Sequence, residues 1–187
     1  MENKIPNIKL KPGDIFCTTF PGAFVGKAIN KIQKIKSTDN QSELSHSGII
    51  IDSNGTTFEA IWTYKQQNIW EAYGGKETKL LIGRHKLMSN VKFIKGITEI
   101  TSKYKGKVYP IWRLALFMLP YASKYISFGP VVCSELVMRF LFTAGLIKNW
   151  KGYTPDDVAD MIVRNKMYEV IYFKNITSYD ERLLVDY

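Results

Sequence analysis

The sequence predicts an α+β domain in which an antiparallel sheet packs against helices. Three observations carry this. Short runs rich in β-branched and aromatic residues stand near both ends, at residues 15–19 and 168–173. Two more apolar runs, 45–52 and 56–62, flank Asp52-Ser53-Asn54-Gly55, and Asn-Gly between such runs is a strong hairpin signal. Stretches with apolar residues at helical spacing lie between them in the order strand, helix, strands, helices, strand, which fits a segregated α+β layout.

Each element has a local reason. Lys11-Pro12-Gly13-Asp14 is a turn that leads into the strand 15–19. Pro21-Gly22 breaks that strand, and Phe24, Val25, Ala28, Ile29, Ile32 and Ile35 then recur at helical spacing with lysines between them. This is a basic amphipathic helix ending near Ser37, followed by a polar loop to Glu43. After the hairpin, Trp62, Tyr64, Trp70 and Tyr73 crowd a stretch that reads as irregular and ends at Gly74-Gly75. A strand is expected at 80–83, and a helix over 91–104 that stops at Gly106. Residues 109–119 form a second apolar helix or turn cluster. The clearest helix spans about 133–144, stopped by Gly145. Thr154-Pro155-Asp156-Asp157 supplies an N-cap, a first-turn proline and first-turn acids for a helix to about Asn165.

With 187 residues, 45% apolar and 23% charged, the chain is long enough and apolar enough to bury a core without staples. That excludes a disordered chain and a disulfide scaffold, since there are only two cysteines, Cys17 and Cys133. No repeat, linker or low-complexity tract divides the chain, so one domain over residues 1–187 is expected, with its core at about 10–175. The N-terminus lacks an apolar signal region and no run is long enough to span a membrane, so a cytoplasmic location is expected. The formal charge is +9. Residues 1–36 carry seven lysines against Glu2 and Asp14. Such an excess suits an anionic membrane face, an acidic wall polymer or nucleic acid, and it equally suits a solvated face.

Few chemistries fit the residues present. Cys17, His46, His85 and Cys133 have no metal-ligand spacing, and there is no phosphate-binding Gly-rich loop and no G-x-S-x-G elbow. A thiol with an imidazole remains. Cys133 opens the long helix, where free N–H groups and the helix dipole favour an anion and can hold an oxyanion. The alternative is a buried structural cysteine. His46 begins a strand beside the small residues Ser45, Ser47 and Gly48, placed to face a groove or to sit satisfied in the core. His85, between Arg84 and Lys86, reads as a solvated loop residue.

Cys–His catalysis uses a third group to orient the ring. Glu59 lies on the partner strand of the hairpin. Any even-length loop between Ile51 and Thr56 puts it on the His46 face. A two-residue turn at Asn54-Gly55 sets Thr63 opposite His46, whereas direct opposition of Glu59 needs a turn at Asp52-Ser53 or a bulge. Glu71 and Thr63 are the other candidates, and an edge charge on a solvated face is the plain reading of Glu59.

Taken in order, Gly13-Asp14-Ile15, Ser45-His46-Ser47-Gly48-Ile49, Phe58-Glu59-Ala60, Cys133-Ser134-Glu135-Leu136-Val137 and Thr154-Pro155-Asp156-Asp157 resemble the YiiX/YebB-like group of NlpC-type cysteine peptidases. The likeness runs over about residues 11–163. It implies a circularly permuted papain-like fold, with the histidine strand ahead of the nucleophile helix. It implies Cys133 as nucleophile, His46 as general base and Glu59 as the orienting residue, with Asp14, Ser134 and Glu135 in structural use. It implies a thioester intermediate and no metal or cofactor. The substrate it implies is an amide bond in a cell-wall peptide or small acyl-amino compound. Two features depart from the family: Gly106-Lys-Val-Tyr109 is followed by Pro110 where an acid is usual, and residues 111–128 are unusually apolar.

The expectation is therefore a cysteine peptidase or amidase acting on a peptide or acyl-amide substrate, with an anionic membrane or wall surface as a further partner and no specific nucleic acid. A lipid acyl hydrolase or acyltransferase at a membrane surface is the alternative on the same fold. A non-catalytic binding module is the other. The aromatic stretch 62–73 and the basic helix 27–36 serve either as groove walls or as core and solvated face.

Overall fold

The computed structural model describes residues 8–19, 43–108, 132–177 and 179. The predicted basic helix, the polar loop up to Ser42 and the apolar stretches 109–119 and 111–128 lie outside the described residues.

The described chain is a mixed α+β structure. Six strands form one sheet: β1 (Ile15–Thr18), β2 (His46–Ile50), β3 (Thr56–Ala60), β4 (Tyr64–Asn68), β5 (Leu80–His85) and β6 (Tyr168–Lys174). Their order across the sheet is β4-β3-β2-β1-β5-β6, and every neighbouring pair is antiparallel. Four helices accompany them: α1 (Ile69–Tyr73), α2 (Asn90–Tyr104), α3 (Cys133–Thr143) and α4 (Pro155–Arg164).

Strand alternation sorts the core into two layers. Ile15, Cys17, Ile49, Phe58, Ala60 and Leu81 point to one face, where they meet buried residues of α3 and α4. Phe16, Ile50, Leu80 and Ile82 point to the other, where Ile69 and Tyr73 of α1 and Leu10 cover them. Helix α2 docks on α3 through Gly96, whose missing side chain leaves room for the Phe140 ring.

The caps behave as the sequence requires. Thr154 Oγ1 accepts from Asp157 N–H and the Asp157 carboxylate accepts from Thr154 N–H, a reciprocal capping box ahead of Pro155. Helix α3 has half of one. Glu135 accepts from Val132 N–H at 3.3 Å, and the valine at the N-cap has no oxygen to give back.

Two readings change. The aromatic stretch read as irregular is the edge strand β4 followed by α1, a helix started by Asn68, whose side chain accepts from Trp70 and Glu71 N–H. His85 is no solvated loop residue. It ends β5, pairs with Tyr168 of β6, is 5% exposed and meets the Tyr168 ring edge-on at 4.8 Å. Burial lowers its pKa. The strand runs two residues past Gly83 because β6 supplies partners there.

Candidate active site

The hairpin β2–β3 sets the geometry of the site. Its register pairs Gly48 with Glu59 and Ile50 with Thr57. Asp52 closes the loop by accepting from the N–H groups of Asn54 and Thr56 at 2.9 and 3.0 Å. This Asx-type closure makes residues 52–55 a four-residue loop, because Ile51 N–H bonds to Thr56 C=O at 2.8 Å. The two-residue Asn54-Gly55 turn is thereby corrected, and so is the placing of Thr63 opposite His46. Gly55 takes the positive φ of +85° within the longer loop.

An even loop keeps Glu59 on the His46 face, offset diagonally by one residue pair. The diagonal is long enough for side chains to bridge. His46 Nε2 meets Glu59 Oε2 at 2.7 Å, with both side chains wholly buried. Gly48 lies between them on the same face. A Cβ there would stand 2.6 Å from the Phe16 ring and 2.9 Å from Glu59 Cβ, so only glycine lets the glutamate and the aromatic close up.

Three donors converge on Glu59. Beside His46, Thr57 Oγ1 donates to Oε1 at 2.5 Å and the Tyr73 hydroxyl donates to Oε2. Gln67 Nε2 in turn donates to the Tyr73 oxygen at 3.1 Å. Burial pushes the Glu59 carboxyl up, but the hydrogen bond and charge of His46, with Thr57 and Tyr73 behind them, hold it below its ordinary value. Burial and the neighbouring carboxylate raise the Tyr73 phenol, which stays a proton donor. The His46 ring is flanked by Phe16 and Tyr73, each with its centroid 6.1 Å away.

Cys133 is the first residue of α3 and is 2% exposed. It lies close enough to the His46 ring to help raise its pKa. Cys133 also acts electrostatically on Tyr73, which shares the His46 face, and on Cys17, which points to the opposite face. It packs in the same buried cluster as Cys17, Leu136 and Val137. Burial alone would lower the His46 pKa. Interaction with Cys133 and the hydrogen bond and charge of Glu59 outweigh it and raise the pKa from 6.5 to about 9. The site is a chain of polar groups from Gln67 through Tyr73, Glu59 and His46 to Cys133.

The structure thus brings Cys133, His46 and Glu59 together. The alternatives for the third position, Glu71 and Thr63, are exposed and lie elsewhere. Cys17 is wholly buried, donates to the Pro155 carbonyl at 3.7 Å, and has its pKa raised well above 9.0, by burial first and by Cys133 and Asp156 next. Ser134 donates to the Tyr153 carbonyl at 2.6 Å, which ties the start of α3 to the segment entering α4. Asp14 accepts from Arg84 at 2.7 Å across β1 and β5. Sequence reasoning missed Tyr73, Thr57 and Gln67. Thr57 had a usable signal, since it lies two residues before Glu59 and so on the same face. Tyr73 had none beyond its place in an aromatic cluster. Among the described residues, no group of three or more His, Cys, Asp or Glu is placed to hold a metal ion.

No family model matches the chain. No curated protein matches it either. Among solved structures, the chain is similar to the crystal structure of the metalloprotein YiiX from Escherichia coli O157:H7, a DUF1105 protein. The TM-score is 0.51 and the identity 24%, over 73% of this chain and 67% of that one. At that identity the likeness is one of fold. The YiiX-like part of the resemblance is met at that level.

Proposed function

We propose that this chain is a cysteine hydrolase of circularly permuted papain-like fold that cleaves an amide bond. One observation carries the reading: a buried thiol at a helix N-terminus acts on an imidazole whose Nε2 is held by a buried carboxylate at 2.7 Å. A core that needed only packing would not gather three ionisable groups and then give the carboxylate two more donors.

In the proposed reaction His46 and Cys133 form a thiolate–imidazolium pair, and the sulfur attacks the carbonyl carbon. The oxyanion is held by the Cys133 backbone N–H at the start of α3. The C–N bond breaks as His46 gives its proton to the leaving nitrogen, which leaves a thioester. Water, deprotonated by His46, cleaves the thioester and restores thiol and imidazole. Glu59 fixes the ring and balances its charge throughout. The raised His46 pKa suits a ring that keeps its proton until a leaving group needs it.

A second reading is a non-catalytic binding module, favoured by the 2% exposure of Cys133. The test measures iodoacetamide labelling of Cys133 in the parent and in His46→Ala, with Cys17 as the internal reference, beside a panel of acyl amides and acyl esters. A hydrolase labels at Cys133 faster than at Cys17, loses that advantage in His46→Ala, and turns over an amide in the parent but not in Cys133→Ala. Turnover of esters alone moves the assignment to acyl-ester chemistry. Labelling indifferent to His46, with no turnover, sinks the hydrolase and leaves the binding module.

A further inference from the structure

We propose that the end of the fold formed by the turn before α2, the first turns of α2 and the turn before β6 docks on an anionic lipid bilayer. Large apolar side chains are exposed there together. Leu87 is 56% exposed, Val91 77%, Ile94 59% and Met167 37%. Val91 and Ile94 are three apart on α2 and so are neighbours on its surface. Leu87 stands in the turn leading into the helix, and the bond from Lys86 N–H to the Met167 carbonyl at 2.8 Å brings the start of β6 beside it.

The inner face of α2 is already used. Gly96, Ile100 and Tyr104 are buried, and Phe93 and Ile97 pack against the core. Val91 and Ile94 are therefore surplus to folding. They cost exposure without burying anything in the described fold.

Charge selects the partner. Lys86, Lys95 and Lys166 are exposed around the apolar side chains. Two acids of this end stand beside arginines: Glu99 binds Arg139 at 3.3 Å, and Glu169 is opposite Arg84 in the register of β5 and β6. The N-terminus of α2 adds partial positive charge on the same side. A lysine-ringed face on a chain of formal charge +9 repels a second copy of itself. Side chains that project at more than half exposure, as Leu87, Val91 and Ile94 do, suit insertion between lipid headgroups, with the lysines left at phosphate level. No helix among the described residues is long and apolar enough to cross a membrane.

The face stands apart from the candidate active site. His46 pairs with Thr18, and Thr18 with Leu80, the first residue of β5; the docking face follows His85, the last. Docking thus holds the protein at a surface without occupying the thiol site, and the two proposals fail separately.

The test is co-flotation of the full chain with vesicles of phosphatidylcholine alone and of an equal mixture with phosphatidylglycerol. Binding is expected to the mixed vesicles only, weakening with added salt. Replacing Lys86, Lys95 and Lys166 with Gln should weaken binding by about fivefold per lysine. Leu87→Ser, Val91→Ser and Ile94→Ser together should weaken it at least about tenfold, with the salt dependence kept. All six positions are exposed, and circular dichroism of each variant checks the fold. The proposal is overturned if the parent binds neither vesicle, or if both variants bind as the parent does. It is also overturned if sedimentation shows a parent dimer that the serine variant abolishes, since the face is then an interface between copies.

Discussion

Tyr73 and His46 donate to the same oxygen of Glu59, Oε2, from two different elements of the fold. The short helix α1 and the strand β2 are thereby joined through one buried carboxylate. The third donor, Thr57, takes the other oxygen. Every arrangement of the ring facing Cys133 thus depends on where Glu59 is held.

Removing the negative charge tests that dependence most directly. Glu59→Gln keeps the shape but leaves His46 buried without its carboxylate. The His46 pKa, about 9 in the parent, should fall by at least about one unit, because burial then opposes fewer raising contributions. Titration of the ring by NMR measures this. Under the proposed reaction, amide turnover should fall by about a hundredfold or more. An unchanged His46 titration would show that Glu59 has no hold on the ring.

The same shifts set the pH range over which the network stabilises the fold. The His46 pKa is raised from 6.5, so its contribution is full below 6.5 and is lost as the pH rises through about 9. The Glu59 pKa is lowered from 4.5, so its contribution is full above 4.5 and is lost as the pH falls through the lower folded value. Both are present together between about pH 4.5 and 6.5. The urea midpoint of the parent should exceed that of His46→Gln most within this window. The difference should shrink towards pH 10, and a gap that widened instead would reverse the sign.

Gly48→Ala tests the close approach. The added Cβ meets the Phe16 ring at 2.6 Å and Glu59 Cβ at 2.9 Å, and neither is a flexible side-chain end. Overpacking of this kind costs about 1–3 kcal/mol. Since Glu59 is one of the two groups displaced, the His46 pKa should drop as well. Thermal melts with ring titration separate the two effects. A variant as stable as the parent would mean that β2 and β3 move apart freely.

The face shared by His46 and Glu59 follows from strand parity, which any even loop satisfies. The register did not follow, because the Asp52 side chain competes with the Asn-Gly turn for the loop N–H groups and wins. Strand β4 was not legible, because Lys65-Gln66-Gln67-Asn68 shows no apolar alternation, as an edge strand with polar faces allows. Tyr73 joined the site through α1, and nothing in its local sequence says that the helix folds back over Glu59. His85 was misread because its burial comes from Tyr168, a partner more than eighty residues away in the chain.

Tyr73→Phe isolates the hydroxyl that sequence reading missed. The ring stays between Phe16 and His46, so packing is kept and one hydrogen bond to a charged group is lost. That bond is worth about 1.5–3 kcal/mol, and Gln67 also loses its acceptor. Glu59 keeps Thr57 and His46, so it should stay ionised but become more basic towards the ring. Stability should therefore fall by about 2 kcal/mol in urea melts, while the His46 pKa rises. A purely structural phenol would lower stability and leave the ring titration where it was. A fall in the His46 pKa would contradict the account, since it would mean that the phenol, rather than the carboxylate, had been fixing the imidazole.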